Sequence, residues 1–479
     1  MFLCRDNELK KLSIRYDSGS PECIVIYGRR RVGKTALINE FTKDKPTIYF
    51  PALNTTAKDN LAALSRSIQH YLNPAAADYP VYPSFDSAFA EITRIAKKEH
   101  IIFVIDELPY LAKADSSIPS RLQHLIDHDW AQTDIFLILC GSSMSFMEKE
   151  VLSEKSPLFG RRTAQMKIEP MSYLDTAKFH PELSLEDNAL IYAVTGGVPH
   201  YINKLDVRGS VRDALINNFF DTSAYLFEEP ENLLKQELRE PAVYNSIIAS
   251  IAGGSTRLSD VAASVGMESA ACSKYISVLT ELGIVKKTEP VIDKSKRKVL
   301  YRISDPFFNF WYRFVPANMM SISAGTIDRT FDVAIGSYLN QYMGLPFEDI
   351  CRQYLVRYCN DLPFPIAEIG EWWGHIRKRD PVTGKITSVE AQVDIVAVAP
   401  KLNNTSSGRQ YIIGSCKYQT DAIGTEELDT LKEYAAAFTH PNDTCCYYIF
   451  SKGGFTQGLE KLAESGEVVF LSLNDIYKI

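Results

Sequence analysis

The stretch GRRRVGKT, Gly28 to Thr35, sets two glycines, a lysine and a hydroxyl at the spacing G-x-x-x-x-G-K-[ST]. It follows an apolar run, IVIY, and leads into ALINEF, a helix-like pattern, which is the setting this spacing needs to hold a phosphate chain. The glycines let backbone N–H groups turn inward on phosphate oxygens, and the helix N-terminus adds its partial positive charge. Lys34 is placed to reach the β and γ phosphates of a nucleotide, and Thr35 offers its hydroxyl to magnesium. Gly28, Val32, Gly33, Lys34, Thr35 and Ala36 are therefore the expected cofactor-binding residues, with ATP and Mg2+ as cofactors. Arg29, Arg30 and Arg31, at the variable positions, read as a solvated turn.

A second group supports the first. IIFVIDE is a continuous apolar run ending on two carboxylates. Asp106 can hold magnesium through water and Glu107 can orient the attacking water, the two tasks that phosphoryl transfer assigns to protein groups. Two histidines in HLIDH, His124 and His128, have helical spacing, but Leu125 follows the first, so a metalloprotease glutamate is missing. They read as a solvated helix face.

These groups need elements to hold them. Up to about residue 170, the strand-like runs CIVIYG, TIYFPAL, HIIFVIDEL, DIFLILCGSS and AQMKIEPM alternate with helical patterns. That alternation predicts a parallel sheet covered by helices on both faces. The expected fold class is α/β. Residues 1–170 form the P-loop core, 171–235 a helical lid, 236–303 a winged helix-turn-helix, 304–330 a connector rich in aromatics, and 331–479 a second α/β unit. Ser259 and Ser269 are the expected caps of two helices in the winged module. A chain of 479 residues is too long for one core.

The order of motifs adds a resemblance. The opening FLCRDNELKKL is similar to the start of STAND and Orc/Cdc6-like AAA+ ATPases, with Cys4 where that pattern has glycine. GRRRVGKT, FVIDE, LILCGSS, LFGRR and TGGVPHYI follow in the order of the archaeal-type ATPase family of that group, over residues 1 to 235. The resemblance implies that Arg5 and Glu8 lie near the adenine, that Ser142 or Ser143 takes the sensor position after the fourth strand, and that Gly197 with Pro199 forms the lid turn touching the base. It implies as well that Arg161 or Arg162 completes the catalytic site, in cis or from a neighbour. Transition-state charge on a γ-phosphoryl suits such a rigid cationic fork.

The charge of the winged module is local. Lys286, Lys287, Lys294, Lys296, Arg297, Lys298 and Arg302 face only Glu289 and Asp293, in a chain whose net charge is −7. One reading is contact with a phosphate backbone through Lys294, Lys296, Arg297 and Lys298, with Lys274 on the recognition helix. The other is an intramolecular or protein–protein clamp with a merely soluble hairpin.

The last unit raises a nuclease question. FEDICRQYLV, AQVDIVAVA and YIIGSCKYQ set an acid on a helix, an Asp on a strand and a lysine on the next, a layout that can hold magnesium beside a scissile phosphate. It resembles the restriction-endonuclease-like PD-(D/E)xK fold and the DUF234 domain. Glu348, Asp394 and Lys417 match, as a possible second metal site. Ser415 stands where the third carboxylate belongs, and hard cations favour carboxylate oxygen over a hydroxyl. Glu368, Glu390, Glu426 and Glu427 are the acids that could replace it; the other reading is an inactive domain kept for binding.

The expectation is a cytoplasmic ATP-binding and ATP-hydrolysing switch coupled to a DNA-binding winged helix and a nuclease-like domain. The competing classes are an ATP-bound signalling scaffold that hardly hydrolyses, acting through protein partners or as a homo-oligomer, and an ATP-gated nuclease. Nine scattered cysteines without a CxxC pair argue against a disulfide framework or zinc cluster. No run approaches the roughly 18 apolar residues of a membrane helix.

Overall fold

A computed structural model of the chain describes residues 2–75, 79–292, 294, 298–379, 386–401 and 408–478. It divides into two compact units, one of residues 1–171 and 198–201, the other of residues 172–197 and 202–479.

In the first unit, strands β1 (Glu22–Tyr27), β2 (Thr47–Pro51), β3 (Ile102–Asp106), β4 (Phe136–Gly141) and β5 (Ala164–Lys167) form one sheet in the order β2-β3-β4-β1-β5. Every pairing is parallel. Such a sheet must be covered on both faces, which is why β3 is apolar up to Asp106 and both β3 and β4 are buried without a break. Alternate residues serve opposite cores. Ile24, Ile26, Val104 and Ile138 pack with Leu12 of helix Asp6–Tyr16 and with Leu37, Ile38 and Phe41 of helix Lys34–Thr42. Val25, Phe103 and Leu139 pack with Leu64, Phe89 and Trp130. Because β4 lies between β1 and β3, the loop after β1, the acids after β3 and the serines after β4 emerge side by side.

The second unit begins with helices, among them Leu185–Thr195, Val211–Phe219 and Tyr225–Glu237, the first two capped by Ser184 and Ser210. Helices Pro241–Ala252, Leu258–Val265 and Ser269–Glu281 then lead to an antiparallel hairpin, β6 (Val285–Thr288) with β7 (Leu300–Ile303). Neither expected serine cap forms: the N-cap positions belong to Arg257 and Glu268, and Ser259 and Ser269 lie inside the first turns. The aromatic run becomes helix Pro306–Phe314, started by Asp305, whose carboxylate accepts from the N–H groups of Phe307 and Phe308.

After helix Ser337–Arg357 comes a mixed sheet of β8 (Glu368–Arg379), β9 (Ile386–Val398), β10 (Gln410–Lys417), β11 (Thr444–Ser451) and β12 (Val468–Ser472), in the order β12-β11-β10-β9-β8. β10, β11 and β12 run parallel, while β9 is antiparallel to both β10 and β8. Strand β8 is an addition to the sequence expectation. Its glycines and charges hide a strand that turns Trp372 into the core past a bulge between Gly370 and Trp372. The segment after β6 docks on that bulge: the Val291 N–H donates to the Glu371 carbonyl at 2.9 Å. Val291 and Ile292 pack against the core of the C-terminal sheet. Among the described residues, no helix is long and apolar enough to cross a membrane.

Candidate functional site

The loop after β1 is shaped by two constraints. Arg31 and Gly33 take left-handed backbone, at φ 70 and 94, and a side chain on Gly28 would put its Cβ 2.3 Å from the Ile168 carbonyl oxygen. Gly28 is thus glycine because the backbone after β5 passes too close for anything larger. Helix Lys34–Thr42 starts without a side-chain cap and without an acid in its first turn. Its first residue is a lysine, 6% exposed, whose Nζ donates to the carbonyls of Gly28 and Arg29 at 2.8 and 2.9 Å. A buried cation at the positive end of a helix dipole is unfavourable by itself, and burial lowers the Lys34 pKa. An anion bound between them resolves both costs, so the donor set fits a phosphate chain.

The carboxylates sit beside this loop. Asp106 Oδ2 accepts from Thr35 Oγ1 at 3.2 Å and from the Tyr49 hydroxyl at 2.5 Å. Its Oδ1 accepts from the Glu107 N–H at 3.0 Å. Glu107 is one of three described non-glycine residues at positive φ, here 54, a conformation that costs about 1–2 kcal/mol. It turns the side chain to Ser142, whose N–H and hydroxyl donate to Glu107 Oε2 at 3.2 and 2.9 Å. Lys34, Thr35, Asp106, Glu107 and Ser142 thus meet at one end of the sheet. Val32, Ala36 and Ser143 lie in the same segments, Ser143 at the start of helix Met144–Phe146.

Other candidates are placed differently. Arg5, 6% exposed, donates to the carbonyls of Val32 at 3.1 Å and Glu169 at 2.6 Å and pairs with Glu8 at 3.1 Å, so it ties the phosphate loop to the segment after β5. Cys4, where the family pattern has glycine, has φ 61, the backbone that glycine takes without strain. The arginine triplet is half-buried rather than solvated: Arg30 donates to the Tyr110 hydroxyl at 2.6 Å, and Arg31 lies over the Tyr201 ring at 6.0 Å. Arg161 pairs with Asp127 at 2.9 Å, and Arg162 donates to the Leu152 carbonyl at 2.9 Å. Pro199 opens helix Pro199–Ile202 and counts with the first unit, while Gly197 counts with the second. His124 and His128 are exposed.

Tyr49 reads in the sequence as one more strand residue. The signal was a tyrosine in an otherwise apolar run, on the strand that pairs with β3.

In the second unit, Glu348 and Arg352 lie one turn apart on helix Ser337–Arg357. The guanidinium contacts Glu348 at 3.4 Å, Asp349 at 3.2 Å, the Asp394 carbonyl at 3.2 Å and Glu371 at 3.8 Å. Burial, then the neighbouring Asp394 charge, pushes the Glu348 carboxyl up to about 8, and burial raises Asp394 as well. Asp394 Oδ2 accepts from the Cys416 N–H at 2.9 Å. Ser415 donates to Glu427 Oε1 at 2.6 Å, and Lys417 pairs with the same oxygen at 3.2 Å. Of the four acids considered as replacements at Ser415, Glu427, from helix Thr425–Ala435, is the one bonded to it. Among the described residues, no three Asp, Glu, His or Cys side chains converge as a metal cage.

The hairpin charges are largely used internally. Arg302 pairs with Glu371 at 2.5 Å, Lys287 with Glu289 at 2.5 Å, and Lys294 with Glu368. Lys274 is exposed and Lys298 half-buried, while Lys296 and Arg297 lie outside the described residues.

Comparison with known proteins agrees with this layout. A family of ATPase domains predominantly from Archaea matches residues 2–205, and DUF234, a family of archaeal and bacterial proteins of unknown function, matches residues 311–430. MJECL04, an uncharacterized protein of Methanocaldococcus jannaschii, is 32% identical over 377 residues, covering 78% of this chain and 82% of that one. The Walker-type ATPase PABY2304 of Pyrococcus abyssi superposes with a TM-score of 0.50 at 18% identity, over 65% of this chain and 96% of that one, a likeness of fold. The Aeropyrum pernix ORC1 protein, solved in complex with DNA, gives a TM-score of 0.38 at 14% identity over 68% of this chain and 93% of its own.

Proposed function

Because this chain belongs to the archaeal P-loop ATPase family with a DUF234 region behind the ATPase domain, we propose that it binds ATP with Mg2+ in the loop Gly28 to Thr35 and hydrolyses it. The observation that carries this reading is the meeting of Lys34, Thr35, Asp106, Glu107 and Ser142 at one sheet end. Bound Mg2+ supplies charge neutralisation on the phosphates. The chain supplies the rest. The uncapped helix N-terminus and Lys34 take the phosphate charge; Thr35 and Asp106, already hydrogen-bonded, are the groups for the cation. Glu107, aimed by Ser142, orients the attacking water and receives its proton. Arg161 or Arg162 would have to leave Asp127 or Leu152 to reach a γ-phosphoryl, so either serves as a finger only after rearrangement or from a neighbouring copy. Glu107→Gln should retain ATP binding and lose steady-state phosphate release by about 10²-fold or more. Equal turnover in variant and wild type would overturn the role given to Glu107; no turnover in either would overturn hydrolysis and leave an ATP-bound scaffold.

A second activity is supported by one observation, the Ser415–Glu427 bond. The acid absent from β10 is delivered from the adjoining helix to the place beside Lys417 and Asp394. Magnesium is commonly held by one or two carboxylates together with substrate phosphate, so a ready cage of three acids is not required. The fully buried Ser451 hydroxyl, in register with Lys417 on β11, has no hydrogen-bond partner, an orphan that fits a ligand at this spot. In this reading the C-terminal sheet is a metal-dependent phosphodiesterase site, and DNA approaches through Lys274 and Lys298. Mg2+- or Mn2+-dependent cleavage of DNA that disappears in Glu427→Gln supports it; cleavage unchanged in that variant, or none in the wild type, removes it.

A further inference from the structure

We propose that Tyr49 is a positioning residue of the nucleotide site, locking the Asp106 carboxylate against Thr35 so that the two groups for the cation are set before it binds; this rests on the ATPase reading above. The register of β2 on β3 pairs Pro51 with Asp106 and Tyr49 with Val104. Tyr49 is therefore two residues behind Asp106 on the same face of the sheet, and a side chain as long as tyrosine is needed to cover that offset. Its ring packs against the core formed by Ile24, Ile26 and Leu37, while its hydroxyl reaches Asp106 Oδ2 at 2.5 Å. The same oxygen accepts from Thr35 Oγ1 at 3.2 Å, and Oδ1 accepts from the Glu107 N–H at 3.0 Å.

Donors on both oxygens of a group with about four acceptor sites leave the carboxylate no free rotation. Glu107 fixes one oxygen from behind, and Tyr49 fills one side of the other. The same Oδ2 accepts from Thr35. A phenol hydroxyl facing a carboxylate oxygen is the donor of the pair, since an ionised carboxylate can only accept. Phenylalanine would keep the ring and its packing and remove only the lock, so Asp106 could swing away from Thr35. The cost then falls on the cation-binding pair, Asp106 and Thr35, rather than on Lys34 and the backbone donors of the loop.

The test titrates Mg2+ against binding of a fluorescent ATP analogue to the full chain, with a parallel titration in EDTA. For Tyr49→Phe we expect the Mg2+ concentration at half-effect to rise about tenfold, equivalent to about 1.4 kcal/mol, with EDTA binding within about twofold of wild type. In an Asp106→Asn background the same substitution should add nothing, since its target is gone. A Mg2+ midpoint unchanged in Tyr49→Phe overturns the inference. So does a parallel loss of binding in EDTA, which marks a structural role, or an undiminished effect in Asp106→Asn. Wild-type protein that binds the analogue in neither condition would instead remove the ATPase reading itself.

Discussion

Arg302 and Glu371 offer a perturbation whose size can be worked out beforehand. Glu371 is 3% exposed and Arg302 15%, and their atoms approach to 2.5 Å. Removing one partner of a buried pair costs about 3–5 kcal/mol, because the other charge is left uncompensated. Arg352, 3.8 Å from the other Glu371 oxygen, offsets part of that. For Arg302→Met we therefore expect the lower end, about 3 kcal/mol. The double variant Arg302→Met with Glu371→Met removes both charges and should recover most of the loss. Urea unfolding of the four members of the cycle measures it. Exchange of the Val291 amide, which donates to the Glu371 carbonyl, shows whether the hairpin segment is what opens. A cost below about 0.5 kcal/mol, typical of a surface pair, would refute the reasoning that this hairpin is latched to the C-terminal sheet by a buried charge.

Glu348 yields a pH prediction. Its folded pKa of about 8 lies above the ordinary carboxylate value near 4.3, so the folded chain favours the protonated acid. The stability this gives is fully present below the ordinary value and is lost as pH rises toward 8. Glu348→Gln should therefore raise Tm more at pH 8 than at pH 5, and an equal rise at both would contradict the burial argument. Gly28→Ala must displace the Ile168 carbonyl, given a 2.3 Å approach, and should weaken ATP binding by at least about tenfold, or 1.4 kcal/mol, as read by equilibrium titration. Arg5→Ala leaves the buried Val32 carbonyl without its donor, while the Glu169 carbonyl belongs to an exposed residue; the expected loss of stability is about 1–3 kcal/mol in thermal unfolding.

Legibility followed the range of the interactions. Strands β1, β3 and β4 of the first sheet were legible because burial on both faces writes itself as apolar runs, while the edge strands β2 and β5 alternate in burial. The phosphate loop was legible because its glycines answer local geometry. Strand β8 was not, since its one inward tryptophan is interrupted by Gly370, Gly374 and a bulge, and its pairing with β9 is tertiary. The internal pairing of the basic hairpin was hidden for the same reason: Glu368 and Glu371, which take up Lys294 and Arg302, lie about seventy residues further on. At the site, Lys34, Asp106 and Glu107 could be named from type and spacing. Tyr49 could not, because its task depends on the register of β2 against β3. Ser415 looked like a lost acid, and the bond to Glu427 shows how a neighbouring helix brings a carboxylate to the same spot.

Calorimetric titration of the wild-type chain and of Lys34→Ala with ATP and Mg2+ bears most directly on the central claim. Saturable binding by the wild type, weakened about 10²-fold or more when the buried ammonium is removed, is the expected result. Equal affinity in the two proteins would contradict the assignment of the loop Gly28 to Thr35 as the phosphate site.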